Sequence, residues 1–110
     1  AMLSPYVGTS DRGLPFMTDA ALRRGVQRYD SAGLQVALHA IGDRAIRQAL
    51  DAFEAARRSN GVRDTRHRIE HVEVPDPSDV PRFRTLGVVA STQALFATPD
   101  VTTLQNYAPL

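Results

Sequence analysis

Apolar residues return at helical spacing in two long stretches of the chain. In the first stretch, Leu22, Val26 and Tyr29 lie three or four residues apart, which is the period of one face of an α-helix. Thr18 precedes this stretch and is a residue type that caps helix starts, whereas Gly33 follows it and is typical of helix ends. The pattern therefore predicts a helix between Thr18 and Gly33.

A second helical stretch is strongly amphipathic. Asp43 is predicted to cap its start, and Ser59-Asn60-Gly61 is predicted to end it. Arginine and carboxylate side chains occupy many of the other positions, as expected for the solvent-facing side of a helix. The apolar stripe of this helix consists of Ile46, Ala49, Leu50 and Phe53.

A third, shorter helix is predicted from its end signals. Asp76 is a suitable N-cap, Pro77 suits the first helical position, and Gly87 is expected to stop the helix. Three short segments between the helices have the length and the apolar or extended character of strands. They are residues 34–38, which end at His39, then residues 67–71 and residues 88–91.

The order helix, strand, helix, strand, helix, strand predicts an α/β fold with parallel strands joined by right-handed crossovers. Parallel strands end at the same edge of a sheet, so His39, His71 and Gln93 are predicted to lie at one edge. Imidazoles that converge from adjacent strands suit a hydrolytic metal centre, which needs rigid donors and room for water. The alternative is that both imidazoles bond to the loop backbone.

Length and composition limit what such a chain can be. With 110 residues it is too short for a complete barrel of eight strand-helix pairs, which takes about 250 residues. It contains no cysteine, so any metal must be held by nitrogen or oxygen ligands. No apolar run approaches the roughly 18 residues that span a membrane, and no signal segment opens the chain. A cytoplasmic protein without a membrane partner is expected.

The charge pattern does not favour nucleic acid as a partner. All thirteen basic residues are arginine, and twelve carboxylates leave a formal net charge of +1. The densest basic stretch, residues 57–68, is interrupted by Asp64, is followed by Glu70 and contains no Phe, Tyr or Trp. Nucleic-acid surfaces combine clustered basic residues with aromatic ones, so this stretch is interpreted as a solvated helix end and loop.

Two motifs resemble the amidohydrolase superfamily. One is Gly33-Leu-Gln-Val-Ala-Leu-His39-Ala-Ile-Gly-Asp-Arg-Ala45, and the other is Arg66-His-Arg-Ile-Glu-His71. The sequence is most similar to amidohydrolase family 3 and its N-substituted formamide deformylase-like branch, over nearly the whole chain. The resemblance implies a (β/α)8 TIM barrel of which the 110 residues form a single incomplete segment, about strands five to seven.

The resemblance also implies the chemistry. His39 and His71 would close the fifth and sixth barrel strands and bind zinc or another divalent metal, which activates water against an amide-like C–N bond of a small substrate. The family's first-strand His-x-His pair, fourth-strand bridging ligand and eighth-strand aspartate have no counterpart in this sequence. Because lysine is absent, a carboxylated-lysine bridge cannot come from this segment. The chain alone is therefore expected to hold only part of the metal site.

Four further residues are weaker candidates for the substrate side or for support of the metal ligands. Asp43 is expected either to orient the ring of His39 or to hold a nearby loop. The alternative is that it caps its helix. Arg68 and Glu70 share one face of their strand and are expected to pair with each other or with adjacent strands. Many relatives continue Ala-Ser-x-Gln with Pro-x-His, whereas Gln93 is followed here by Ala-Leu-Phe96. Phe96 therefore favours an apolar leaving group.

Two other interpretations apply to the chain on its own. A small open α/β binding module would use the strand ends as a ligand crevice, but no glycine-rich phosphate loop follows a strand. A catalytically inert fragment would bury its open sheet edges against a second copy, so a homo-oligomer is expected.

Overall fold

Strands and helices alternate along the chain as the sequence predicts. The computed structural model describes residues 1–98 and 100–110. The helices are α1 (Asp19–Ser31), α2 (Asp43–Asn60), α3 (Val80–Leu86) and α4 (Val101–Tyr107), and the strands are β1 (Ala37–Ala40), β2 (Arg68–His71) and β3 (Val89–Ser91). A 3-10 turn at Ala94–Ala97 and α4 follow the three predicted units. Of the helices in the described residues, none is both long and apolar enough to cross a membrane.

The three strands form a parallel sheet whose order follows the chain, β1-β2-β3. Leu38 pairs with Ile69, while His39 pairs with Glu70, which in turn pairs with Ser91. Because strand side chains alternate between faces, the row through Leu38 and Ile69 faces the helices. The other row is the open face of the sheet and consists of Ala37, His39, Arg68, Glu70, Val89 and Ser91.

The core lies between the sheet and α2, and α1 packs beside α2. Ile46 and Leu50 of α2, Ile69 of β2 and Val26 of α1 are at most 2% exposed. The predicted apolar stripe of α2 is therefore confirmed. Tyr29 does not belong to the buried side of α1, since it is 54% exposed.

β1 begins later than predicted. The Leu34 N–H donates to the Tyr29 carbonyl oxygen over 3.1 Å, so Leu34 belongs to the turn after α1. The strand extends from Ala37 to Ala40, and His39 is its third residue. The prediction of a strand over residues 34–38 is wrong at its start, because turn hydrogen bonds engage the backbone there.

The starts of α1 and α2 depend on different caps. Thr18 Oγ1 accepts the Ala21 N–H over 3.2 Å, so the predicted cap of α1 is confirmed. Gly42 is the N-cap of α2, and Asp43 is its first helical residue. The prediction of Asp43 as the N-cap is wrong by one position, and its carboxylate remains available for another contact.

α3 begins later than its cap signal indicates. Asp76 Oδ1 accepts the Ser78 N–H over 2.8 Å, which closes a separate turn before the helix. The helix starts at Val80, so the prediction that Asp76 and Pro77 begin it is wrong. Gly87 ends the helix as predicted, with a left-handed φ of 69° that a residue without a side chain adopts readily.

A buried carboxylate holds α3 against α2. Asp79 is 2% exposed, and its oxygens accept hydrogen bonds from Arg47 Nε (2.8 Å) and Arg82 Nη1 (2.9 Å). Arg82 also donates to Asp51 and Glu54 of α2. α3 has no fully buried residue, so these charge-assisted hydrogen bonds fix its position together with Phe83 and Leu86, which pack partly buried against the core.

A second buried polar cluster lies away from the carboxyl ends of the strands. His67 directly precedes β2 and is 6% exposed. Its Nδ1 accepts the Val36 N–H (3.1 Å), and its Nε2 donates to Asp30 Oδ1 (3.0 Å). Asp30 Oδ2 also accepts from Arg63 (2.8 Å) and Asn60 (2.6 Å). The interpretation of the basic stretch as solvated is therefore wrong for His67, which ties α1 to the start of β2.

Candidate metal centre

Two histidine rings meet at the carboxyl ends of β1 and β2. His39 is exposed on the open face, and His71 is the last residue of β2. Their ring centroids are 4.3 Å apart, and the ring planes are inclined by 60°. The adjacent parallel strands thus bring together the two histidines that the sequence motifs single out.

An uncommon backbone conformation accompanies this approach. Regular alternation would point His71 to the same side as Ala40, its buried partner in register. Instead, His71 has a φ of 77° and Val72 a φ of 53°, values that non-glycine residues rarely adopt. The Val72 N–H donates to the Glu70 carbonyl oxygen over 3.2 Å, so His71 is the central residue of a γ-turn. Such conformations cost about 1–3 kcal/mol each and concentrate at functional sites.

A carboxylate contacts one nitrogen of the His71 ring. Glu73 Oε1 lies 3.1 Å from His71 Nδ1. Both side chains are mostly buried, with 19% of His71 and 13% of Glu73 exposed. Because a carboxylate only accepts hydrogen bonds, Nδ1 is the donor in this contact.

The two rings have the chemistry and the spacing of part of a metal site. Imidazole nitrogen is a common ligand of zinc and of other divalent transition metals. Two imidazoles on one tetrahedral zinc, at Zn–N distances of about 2.0–2.1 Å, have centroids roughly 5 Å apart. The observed centroid distance is 4.3 Å, so the two rings need to separate only slightly to hold one zinc ion between them. Within residues 1–98 and 100–110, no group of three His, Cys, Asp or Glu side chains forms a complete site.

His67 is unsuited to metal binding. Both of its ring nitrogens are engaged, one by the Val36 N–H and the other by Asp30. The ring also stacks on Phe53 at a centroid distance of 4.9 Å. The candidate ligands are therefore His39 and His71 alone among the three histidines.

The residues after His39 hold the amino-terminal segment against α2. Asp43 Oδ1 accepts the Leu3 N–H over 2.7 Å. A Cβ atom on Gly42 would lie 2.5 Å from the Ala1 carbonyl oxygen, so the close approach of the two backbones needs glycine. The hydrogen bonds of Asp43 in the described residues go to this loop and to its own helix start, and not to His39.

Arg68 and Glu70 lie side by side on the open face. Arg68 Nε is 2.6 Å from Glu70 Oε1, an ion pair by distance, although the geometry is too bent for a well-formed hydrogen bond. The hydroxyl of Ser91, which is in register with Glu70, and the positive charge of Arg68 lower the pKa of Glu70 against the opposing effect of partial burial. Because Glu70 is in register with His39, a carboxylate lies next to the histidine pair.

The loop after β3 brings an aromatic ring near His71. Phe96 is 43% exposed, and its ring centroid lies 6.0 Å from that of His71. Gln93 is exposed just before the 3-10 turn, and its carbonyl oxygen accepts the Phe96 N–H over 3.1 Å. The side chain of Phe96 therefore borders the histidine pair, whereas the backbone of Gln93 supports the turn.

The sequence as a whole matches one protein family. The profile described as the Amidohydrolase family aligns with residues 1–107, nearly the full chain. The chain belongs to the amidohydrolase family. The resemblance inferred from the motifs around His39 and His71 is confirmed at this level.

Two relatives of this amidohydrolase chain are identified by sequence. Protein LONG AFTER FAR-RED 3 of Arabidopsis thaliana is 43% identical over 89 residues, which cover 80% of this chain and 15% of that protein. YtcJ of Bacillus subtilis is 31% identical over 91 residues, which cover 83% of this chain and 17% of that protein. The amidohydrolase chain thus spans about one sixth of the length of these relatives.

Two crystal structures share the fold of the amidohydrolase chain. An uncharacterized metal-dependent hydrolase from Pyrococcus furiosus has a TM-score of 0.71 and 33% identity, covering 86% of this chain and 19% of its own. An uncharacterized metal-dependent hydrolase from Pyrococcus horikoshii has a TM-score of 0.69 and 35% identity. The match covers 86% of this chain and 18% of the Pyrococcus horikoshii chain. The predicted α/β architecture, with parallel strands as in part of a larger hydrolase, is confirmed.

Two features of the amidohydrolase chain were not evident from the sequence. An apolar cleft of about 580 Å³ lies beside His39, between β1 and the loop before α1. Its walls include Leu14, Phe16 and Leu38. The second feature is Glu73, whose signal in the sequence is only a carboxylate two residues after a motif histidine. The γ-turn that brings this carboxylate to the ring has no glycine or proline to reveal it.

Proposed function

We propose that this chain supplies two metal ligands, His39 and His71, to a metal-dependent hydrolase. The observation that carries the proposal is the 4.3 Å approach of the two rings at the carboxyl ends of adjacent parallel strands. Barrel enzymes of the α/β type have their active sites at this edge. The positive φ of His71 supports a functional role, since strain of this kind is concentrated at active sites.

The cofactor in this proposal is a divalent metal, with zinc as the best match for imidazole donors in a hydrolase. The similar Pyrococcus proteins are described as metal-dependent hydrolases, which supports a metal here. When bound, such a metal activates water and polarises a carbonyl group. His39 and His71 hold one side of the metal, while the other ligands and the general base come from parts of a longer protein.

We further propose that the chain is one incomplete segment of a catalytic (β/α)8 barrel, about strands five to seven. In the described part of the sheet, β1 and β3 each have one edge without a neighbouring strand. The apolar cleft beside β1 offers space for a preceding strand, which would cover the exposed ring of Phe16. The open face, with His39 and Glu70, would then line the barrel interior.

The proposed reaction is hydrolysis of a non-peptide, amide-like C–N bond in a small molecule, as in the formamide deformylase-like branch. The partly exposed ring of Phe96 near His71 favours an apolar group on the substrate. Arg68 lies on the same open face and is 48% exposed at its side chain, so it can contact a polar substrate group.

Calorimetric titration of the chain with zinc tests the proposal. We expect one weak site, because only two protein ligands are present. His39→Ala and His71→Ala are each expected to lower the affinity at least tenfold, which corresponds to about 1.4 kcal/mol. The double variant retains His67 and is the matched control, with no binding above background expected. Equal heats in all four proteins would overturn the proposal and favour a binding module or an inert fragment.

We also expect the isolated chain to self-associate through its strand edges. In residues 1–98 and 100–110, no strand pairs with the outer edge of β3, and Val89 on this strand is 45% exposed. Light scattering over a concentration series should show a dimer or a larger species. Val89→Lys should raise the dissociation constant about tenfold, because charge on an edge strand opposes pairing, whereas Val62→Lys in a loop should not. A stable monomer at high concentration would contradict this expectation.

A further inference from the structure

We propose that Glu73 is a positioning residue that orients the His71 ring and makes Nε2 its metal-binding nitrogen. The inference rests on the proposed role of His71 as a metal ligand. It assigns to Glu73 a function that neither the sequence motifs nor the family membership indicates. Glu73 acts through His71 and is not itself a ligand in this proposal.

The γ-turn at His71 creates the contact with Glu73. In a regular strand, residues two apart point to the same side but lie roughly 6.6 Å apart along the chain. The left-handed conformations of His71 and Val72 fold the chain back, and Glu73 Oε1 comes within 3.1 Å of His71 Nδ1. The turn therefore has two effects, because it brings the His71 ring into contact with that of His39 and places a carboxylate beside Nδ1.

The chemistry of the contact selects one tautomer of His71. A carboxylate has no proton to donate, so His71 Nδ1 must carry the hydrogen, and in the neutral ring Nε2 keeps its lone pair for a metal. His67 has the opposite arrangement, because its Nδ1 accepts the Val36 N–H and its Nε2 donates to Asp30. The two histidines are thus held in different tautomers by their neighbours. Metal-binding histidines commonly donate their second nitrogen to a carboxylate in this way.

The charge environment of Glu73 supports the same role. The other two glutamates of the chain are paired with arginine, Glu54 with Arg58 and Arg82, and Glu70 with Arg68. Within residues 1–98 and 100–110, the ion-pair contact of Glu73 is with His71 and involves no arginine. Its carboxylate is therefore available to orient the ring and to make Nε2 a better donor to a cation.

Nitrogen-15 NMR of the metal-free chain tests the orientation without any metal. In a spectrum recorded near pH 8, long-range proton-nitrogen correlations within each imidazole distinguish the two neutral tautomers. We expect His71 with its hydrogen on Nδ1 in the wild type and in Glu73→Gln, which keeps an acceptor oxygen. In Glu73→Leu, the form with the hydrogen on Nε2 should appear. The signals of His67 are the internal control and should stay unchanged in both variants.

Zinc titration supplies the second measurement. Glu73→Leu should lower the zinc affinity about 10–100-fold, whereas Glu73→Gln should recover most of it. A wild-type His71 with its hydrogen on Nε2 overturns the inference, whatever the variants do. An unchanged His71 tautomer in Glu73→Leu, with the His67 signals intact, overturns it as well. The two proposals can fail separately. If the tautomer follows the prediction but His39→Ala and His71→Ala leave the zinc affinity unchanged, the proposed function fails while the orientation by Glu73 stands.

Discussion

A complete protein that carries this chain is expected to lose about 10³-fold in kcat/KM for the proposed hydrolysis of an amide-like bond when His71 is replaced by alanine. Metal activation of water contributes several kcal/mol to catalysis, and about 4 kcal/mol corresponds to this factor. The 4.3 Å pairing with His39 predicts a similar loss for His39→Ala. Metal analysis of the purified variants should show reduced occupancy alongside the reduced rate.

Phe96→His is the matched control for this experiment, since it changes a side chain 6.0 Å from the His71 ring without removing a proposed ligand. It should retain the metal and change the preference between apolar and polar amides by about tenfold, the effect of a modest change in a hydrophobic contact. Full activity and full metal content in His71→Ala would contradict the assignment of His71 as a ligand. An unchanged preference in Phe96→His would argue against an apolar leaving group.

Asp30→Ala is expected to lower the free energy of unfolding by about 3 kcal/mol. Removing the Asp30 carboxylate takes one hydrogen bond each from His67, Asn60 and Arg63, and buried charge pairs broken in this way lose about 3–5 kcal/mol. The lower end applies because the side chain of Arg63 is 39% exposed and can be solvated again. Urea unfolding measures the change. Asp64→Ala is the control, because Asp64 and Arg66 form an exposed pair and should contribute nothing measurable.

The same carboxylate predicts how stability depends on pH. Burial alone would raise the pKa of Asp30, but hydrogen bonds from Asn60, His67 and Arg63 and the charge of Arg63 lower it below 3.8. A folded pKa below the unfolded one adds stability above pH 3.8, and this stability is lost as the pH falls through the folded pKa. Unfolding free energies between about pH 6 and pH 3 should therefore fall more steeply in the wild type than in Asp30→Asn. Parallel curves would contradict this role.

Most of the fold could be predicted because local sequence and tertiary packing agree. The stripe of Ile46, Leu50 and their neighbours in α2 has one helical period, and the burial of this face confirms it. The errors arise where turn hydrogen bonds engage residues that the pattern assigns to a helix or a strand. Asp76 closes a turn of its own before α3, and Leu34 completes the end of α1 instead of starting β1. Whether such a turn forms depends on the path of the backbone, which residue type alone does not determine.

The part of the candidate site that could be predicted is the meeting of two histidines at the carboxyl ends of adjacent strands. Parallel strands determine that His39 and His71 approach each other, since their positions in adjacent units are equivalent. The γ-turn and the contact of His71 with Glu73 were not predictable, because β-branched Val72 gives no sign of a left-handed backbone. Asp43 was open between three expected roles, and only the structure shows that its carboxylate accepts the Leu3 N–H of the neighbouring loop.

The two faces of the sheet differ in how freely their residues can be exchanged. Ile69, on the helix-facing row, is fully buried, so a smaller or polar residue there would weaken the packing on which the whole chain depends. Arg68 and Val89, on the open face, are exposed and can change without disturbing that packing. Substitutions there can therefore alter the face that we propose lines the barrel interior while the scaffold that positions His39 and His71 stays intact.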